Sequence, residues 1–87
     1  MRLVLCGAID LHTAPRLRAA LDAAIQDSIG DLVIDGTGLT FGGADLLSAL
    51  LHTRAQLAES GRALLVENAP PFFRRVLAAC QLEDLTG

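Results

Sequence analysis

The 87-residue sequence has no lysine, tryptophan or tyrosine, so seven arginines and two histidines are its only basic side chains. The arginines form no basic run, and the formal net charge is −3. Proteins that bind nucleic acid contact its phosphates with clustered Lys and Arg side chains. We therefore do not expect nucleic acid to be the main partner.

Long hydrophobic segments and a disulfide framework are also missing. No apolar run approaches the roughly 18 residues of a membrane-spanning helix, and no signal-peptide pattern is visible. The sequence therefore predicts a cytoplasmic protein without membrane insertion. Its two cysteines, Cys6 and Cys80, are too few for a disulfide scaffold. Both lie among apolar residues, which predicts small, buried side chains, and nothing in the pattern supports a redox role.

The residue groupings that carry catalysis are absent as well. Gly36-Thr-Gly38 begins like a dinucleotide-binding fingerprint, but Phe41 stands where the third glycine would be. The chain has no Gly-Lys-Ser/Thr sequence, and His12 and His52 have no Ser or Cys partner at a familiar spacing. No metal-ligand spacing is visible either. The sequence predicts a protein that is not an enzyme and needs no cofactor.

The chain does contain enough apolar residues for the core of one domain spanning residues 1–87, since 52% of the residues are hydrophobic. Short runs bounded by charge or glycine predict strands at 3–9, 31–35 and 62–67. Apolar stripes at helical spacing predict helices at 14–27, 45–60 and 72–81. The tail, residues 82–87, is predicted to be irregular.

Local signals bound these helices and assign their faces. Thr13 is the predicted N-cap of the first helix, Pro15 suits its first turn, and Gly30 and Gly61 suit left-handed positions at helix ends. The predicted core-facing residues of the second and third helices are Leu46, Leu47, Leu50, Leu51, Leu57, Ala58, Phe73, Val76, Leu77 and Cys80.

The element order β-α-β-α-β-α with short connections predicts an α/β fold with a largely parallel sheet. Three strands make a thin sheet, and an apolar first strand is a poor edge. Either a partner strand is missing, or a neighbouring molecule supplies one, for example in a homodimer through the exposed sheet edge.

Residues 35–45 contain four glycines, at positions 36, 38, 42 and 43, between a strand and a helix that begins at or beside Asp45. Glycine permits backbone conformations closed to other residues, so this segment is predicted to be a loop. A helix N-terminus favours negative charge. Asp45 is therefore either a helix cap only, or it holds a place that other chains use for something else.

Three segments in register resemble the STAS domain of the anti-sigma-factor antagonist (anti-anti-sigma factor) family. They are Gly7-Ala-Ile-Asp-Leu-His-Thr-Ala-Pro-Arg-Leu-Arg18, Asp35-Gly-Thr-Gly-Leu-Thr-Phe41 and Pro71-Phe-Phe-Arg-Arg-Val-Leu-Ala-Ala-Cys-Gln-Leu-Glu-Asp-Leu85. The resemblance implies a mixed, mostly parallel sheet with helices mainly on one face. It also implies an extra N-terminal strand before residues 3–9, which is missing or vestigial in this chain.

The resemblance also implies a position for regulation. In regulated family members the Phe of the second motif is followed by x-Asp-Ser-Ser-Gly-Leu, and a partner kinase phosphorylates one of the serines. Aligned without gaps, the two serines fall on Ala44 and Asp45, and the family's Asp and Gly fall on Gly43 and Leu46. Asp45 is then a partial imitation of phosphoserine, unless it serves only as an N-cap. A conventional phosphoswitch is not expected.

The function implied by the resemblance is transcription regulation by a non-enzymatic protein-interaction module that docks on an anti-sigma factor of the serine-kinase type. The alternative is a constitutive STAS scaffolding subunit of another complex, such as a lipid-transporter ATPase. At least one of Leu46 and Leu47 should point into the core. The residues expected to bind the partner are Asp10, His12, Thr13, Gly42, Gly43, Ala44, Asp45, Leu46 and Leu47.

Overall fold

The computed structural model describes residues 1–86, with the backbone alone at positions 83 and 86. Strands and helices alternate along the chain, which confirms the predicted β-α-β-α-β-α order. Gly87, the last residue of the predicted irregular tail, lies outside the described residues. The elements are β1 (Arg2–Ile9), α1 (Ala14–Asp27), β2 (Leu32–Gly42), α2 (Ala44–Ala58), β3 (Leu64–Glu67), α3 (Pro71–Ala79) and a closing 3-10 turn (Glu83–Thr86).

The strands form one sheet in the order β1-β2-β3, and both strand pairs are parallel. Helices α1 and α2 make the crossovers that parallel neighbours require. This arrangement confirms the predicted α/β class with a mostly parallel sheet. Within residues 1–86 no strand precedes β1, whose side away from β2 forms one edge of the sheet.

The helices cover one face of this sheet. The strand register aligns Leu3 with Ile34 and Ile34 with Val66. The side chains of Ile34 and Val66 are almost fully buried. Alternate strand residues point to the opposite face, where Val4 is 54% exposed and Leu65 is 36% exposed. The sheet therefore has a core face and an open face, as the resemblance implied.

The prediction of a short second strand followed by a glycine loop is wrong. β2 continues as far as Gly42 and stays paired with β1 to its end, with Ile9 opposite Gly42. Two register shifts, between Val4 and Cys6 and between Gly7 and Ala8, each add one residue to β2. The bulges keep the glycine-rich segment in the sheet, and among the four glycines of residues 35–45 none has a positive φ.

Arg62 holds the end of α1. Its guanidinium donates hydrogen bonds to the backbone carbonyls of Gly30 and Ile25, at 2.6 and 3.1 Å, and to the Ser28 hydroxyl at 3.0 Å. Gly30 has the predicted left-handed φ, +88°. The helix ends earlier than that glycine, at Asp27. The arginine thereby satisfies carbonyl groups that the end of a helix leaves without partners.

The core-facing stripe of α2 differs in part from the predicted one. Leu51 is 41% exposed and Ala58 is also exposed, so their predicted burial is wrong. Thr53 is buried, at 2% exposure, because it lies one turn after two buried residues of the same stripe. The fully or nearly fully buried side chains of α2 are Leu46, Ala49, Leu50, Thr53 and Leu57.

Both cysteines are free and exposed, so the prediction of buried thiols is wrong. Cys6 follows the buried Leu5 on β1, and alternation along a strand turns its side chain to the open face. Cys80 follows the last residue of α3, where the chain leaves the helix before a residue with a positive φ, Gln81.

The tail is more regular than predicted. Leu82 and Leu85 are buried, and the Leu82 backbone N–H donates to the Leu77 carbonyl at 2.8 Å. These two leucines belong to the same hydrophobic core as Phe73 and Leu77 of α3. No helix of the described chain combines the length and the apolar character needed to cross a membrane.

Candidate functional site

Two connections meet where β1 and β2 end. The register places Ala8 beside Phe41 and Ile9 beside Gly42, so the segments that follow the two strands leave the same end of the sheet. We call this region, residues 10–13 and 41–47, the carboxyl-end surface. Carboxyl ends of parallel strands are common sites of function in α/β folds.

The turn after β1 is built by Asp10 and Thr13. One oxygen of the Asp10 carboxylate accepts hydrogen bonds from the backbone N–H groups of His12 and Thr13, at 2.9 and 3.0 Å. The Thr13 hydroxyl in return accepts from the Asp10 backbone N–H at 2.9 Å. The Asp10 carbonyl also accepts from Ala14. This reciprocal arrangement is a capping box.

Thr13 occupies the N-cap position of α1, as predicted, but the Asp10 carboxylate accepts the hydrogen bonds from the free backbone N–H groups of this turn. The Thr13 side chain makes no cap hydrogen bond of its own. The backbone hydrogen bond from Thr13 is the main cause that lowers the pKa of the Asp10 carboxyl from its ordinary value. The structure thus gives both residues a local structural role, and the turn that they hold presents His12 and Leu11 to solvent.

Two exposed apolar side chains of the carboxyl-end surface were not predicted as site residues. Leu11 is 72% exposed and Phe41 is 56% exposed. Phe41 lies two positions beyond the buried Leu39. The second bulge of β2 lies between these two residues, opposite Gly7 and Ala8 of β1. Exposed apolar patches mark sites of protein interaction, and aromatic side chains commonly anchor such contacts. In the sequence, the only signal of Phe41 was its position beside two glycines, and Leu11 had no signal.

The start of α2 forms the second half of the surface. Gly43 is the N-cap residue and makes no side-chain cap bond, and Asp45 is the second residue of the helix. The helix begins beside Asp45, as predicted, but the alternative that Asp45 serves only as its N-cap is wrong. Its half-buried carboxylate lies in the first turn, where the helix dipole favours negative charge.

Leu46 lies beneath this turn and is fully buried. It is the leucine expected to point into the core, while Leu47 is only half-buried. A Cβ atom built on Gly42 would lie 2.2 Å from the Leu46 Cδ2 atom. The absence of a side chain at Gly42 thus allows the end of β2 to lie directly against the first turn of α2.

The residues predicted to bind a partner are brought to one end of the fold, but not all reach its surface. Gly42 and Leu46 are buried, so they can support the surface without contacting a partner. The exposed members are Asp10, His12 and Ala44, and the half-buried ones are Thr13, Gly43, Asp45 and Leu47. Across the described residues, no group of three or more His, Cys, Asp or Glu side chains could hold a metal ion.

A separate polar cluster lies on the open face of the sheet around Asp35. Its carboxylate accepts hydrogen bonds from the Thr37 hydroxyl at 2.6 Å, the Thr37 backbone at 3.0 Å and the Asn68 amide at 3.1 Å. Arg2 lies 3.7 Å from it and also pairs with Glu67. Led by the Thr37 hydroxyl, these contacts lower the pKa of Asp35 from 3.8 to about 2.

This lowered pKa makes stability depend on pH. The unfolded carboxyl binds protons more readily than the folded one, so its stabilisation is complete well above pH 3.8 and is lost as pH falls through 3.8 toward about 2. We expect the urea concentration at the unfolding midpoint to change less with pH in that window for Asp35→Asn than for the wild type. Thr37→Val should reduce this pH dependence in part. A slope unchanged in both variants would contradict the assignment.

The α/β domain described above, with helices on one sheet face and two loop segments gathered at one strand end, has the architecture of a STAS domain. A family model described as "Mlab, STAS domain" matches residues 1–87. The chain therefore belongs to this family. A search of curated proteins gives no match.

Among solved structures, the chain is similar to the anti-sigma factor antagonist SpoIIAA in its unphosphorylated form. The TM-score is 0.85 at 20% sequence identity, and the match covers 97% of this chain and 74% of that one. The likeness establishes a shared fold.

Proposed function

We propose that this STAS domain is a non-enzymatic regulator that binds a protein partner through its carboxyl-end surface. The observation that carries the proposal is the exposure of Phe41 and Leu11 beside the capped turn and the start of α2. An exposed ring and an exposed leucine supply the apolar centre of a contact, and the carboxylates of Asp10 and Asp45 supply a polar rim.

The proposed partner is an anti-sigma factor of the serine-kinase type. Support comes from the similarity of the fold to that of a solved anti-sigma factor antagonist. Such a partner acts in the cytoplasm, and we propose the same location for this chain. Neither a cofactor nor catalysis enters the proposal.

Asp45 is proposed to hold the module in one regulatory state. It stands where the resemblance places a phosphorylatable serine, and the structure puts its carboxylate in the first turn of α2 without a capping role. A carboxylate carries one negative charge, and a phosphoserine carries about 1.5 to 2. Asp45 is therefore a partial and permanent substitute for the phosphorylated side chain, and it leaves the kinase no hydroxyl to modify at that position.

The test is phosphorylation by the cognate kinase with ATP, mapped by mass spectrometry. The wild-type chain is expected to stay unmodified at residues 42–47, while Asp45→Ser accepts phosphate at the new hydroxyl. Ala44→Ser, which restores the other family serine, is the matched control for position. Phosphorylation of the wild type at Thr40, or of the wild type as readily as the variant, would show that the switch still works.

A constitutive scaffolding subunit, for example of a lipid-transporter ATPase, is the second candidate. Two observations favour it. The family model that matches the chain is named for Mlab, and positions 42–47 contain no hydroxyl side chain that a kinase could modify. Identification of the proteins that co-purify with the chain separates the two candidates.

A further inference from the structure

The free edge of β1 is the surface that the proposed function leaves unused. In the described sheet, β1 pairs with β2 alone. The Met1 carbonyl accepts from the Val33 backbone N–H at 2.8 Å. Since successive residues of a parallel strand direct their backbone groups to opposite sides, Leu3 and Leu5 point theirs to β2. Arg2, Val4 and Cys6 then direct theirs outward, to the free edge.

This free edge has two defined ends. At one end it begins with Arg2, the first residue of β1. At the other, Gly7 has a φ of +77°, which interrupts the extended backbone. Beyond it the Ala8 carbonyl already accepts from the Thr13 hydroxyl at 3.1 Å. The open segment is therefore residues 2–6, and Val4 is its midpoint.

A groove runs beside this segment, between β1 and α1, with a volume of about 280 Å³. Its floor is mostly apolar, and Arg16 lies along its α1 side. An added strand would place alternate side chains over this groove, on the core face of the sheet. The lining side chains that define it are Leu3, Leu5, Ile9, Arg16, Leu17 and Ala20.

We propose that the free edge of β1 pairs antiparallel with the same edge of a second copy, about a two-fold axis at Val4. In that register Arg2 lies opposite Cys6 of the other copy, so the outward backbone groups of both strands meet. Leu3 lies opposite the other copy's Leu5, apolar against apolar. Arg2 opposes no like charge, and its guanidinium is already paired with Asp35 and Glu67.

The charge pattern of α1 selects a second copy over an unrelated strand. Arg16, near the start of the helix, lines the groove beside the free edge, and Asp27, three turns later, lies on the same side of the helix. Arg18 lies on the other side, where it donates to the Ser48 hydroxyl of α2 at 3.3 Å. A two-fold axis that pairs the β1 strands also sets the two α1 helices antiparallel on the same sheet face. Arg16 of each helix then runs beside Asp27 of the other, whereas a parallel arrangement would oppose like charges. The inference does not rest on the anti-sigma partner.

The test joins sedimentation equilibrium with a disulfide placed on the proposed axis. In a background of Cys6→Ser and Cys80→Ser, Val4→Cys should form a disulfide-linked dimer under mild oxidation. Antiparallel partners lie within the Cα separation that a disulfide spans. Leu65→Cys, exposed on the same face but on β3, is the matched control and should stay monomeric on a non-reducing gel.

A second variant removes the pairing without adding a bond. Val4→Pro deletes one outward N–H, which the fold within the chain does not use, and should weaken dimerisation at least about tenfold. The urea-unfolding midpoint at a dilution where the wild type is monomeric reports whether the variant still folds. A wild-type chain that stays monomeric at high concentration would overturn the proposal. A wild-type dimer would also overturn the proposal if Val4→Cys forms no cross-link and the folded Val4→Pro variant dimerises as strongly as the wild type.

Discussion

Gly42→Ala is expected to lower the free energy of unfolding by about 1–3 kcal/mol, the cost of overpacking a well-packed site. The new Cβ would lie 2.2 Å from Leu46 Cδ2 and 3.3 Å from Leu46 Cβ and Cγ. Leu46 is fully buried, so its side chain cannot turn out to solvent and must displace neighbours in a close-packed core. Either α2 shifts away from the end of β2, or the leucine leaves its preferred rotamer. Urea denaturation followed by circular dichroism measures the loss.

The neighbouring glycine offers a matched control. A Cβ on Gly43 would meet only the Phe41 ring, at 3.9 Å, which is ordinary contact. Gly43 also has a negative φ, −112°. We expect Gly43→Ala to change stability by no more than about 0.5 kcal/mol, as surface substitutions usually do. Equal losses in both variants would mean that the close approach at Gly42 does not shape this end of the fold.

Phe41→Ala is expected to weaken binding of the protein partner by roughly 10- to 100-fold, as truncation of an aromatic anchor commonly does. The ring is 56% exposed in the free chain. Its removal should therefore leave the unfolding midpoint close to that of the wild type. Isothermal titration calorimetry with the purified partner measures the affinity, and urea denaturation checks the fold.

Ile29→Ala is the control for loss of exposed apolar surface. Ile29 is 95% exposed in the connection between α1 and β2, at the opposite end of β2 from Phe41. Its substitution should leave the affinity unchanged. If Phe41→Ala binds as tightly as the wild type, or if Ile29→Ala loses as much, the carboxyl-end surface is not where the partner docks.

The sequence predicted correctly the features that depend on neighbouring residues, such as the bounds of α1. The apolar stripe and the proline of α1 predicted its observed bounds, Ala14–Asp27. The alternation of apolar runs predicted the parallel topology. At the start of α1, however, Asp10 and Thr13 are both good capping residues. Only the backbone path shows that the Asp10 carboxylate receives the free N–H groups.

The failures arise where distant pairing overrides local preference. Glycines at 36–43 are typical of a loop, yet the bulged ladder with β1 extends β2 through Gly42. The exposure of Cys6 depends on which face the helices cover, and the exposure of Phe41 depends on the bulges. Local apolar patterns carry neither fact, so the apolar centre of the candidate surface emerged only with the fold.

The central claim is that this STAS domain binds an anti-sigma factor kinase through the carboxyl-end surface, with Asp45 fixing its state. The most direct measurement is a pull-down from cells of its source with the wild-type chain and Phe41→Ala side by side, the bound proteins being identified by mass spectrometry. We predict that the wild type retains an anti-sigma factor of the serine-kinase type and that Phe41→Ala retains much less. Recovery of a transporter ATPase by the wild type, with no anti-sigma factor, would contradict the claim.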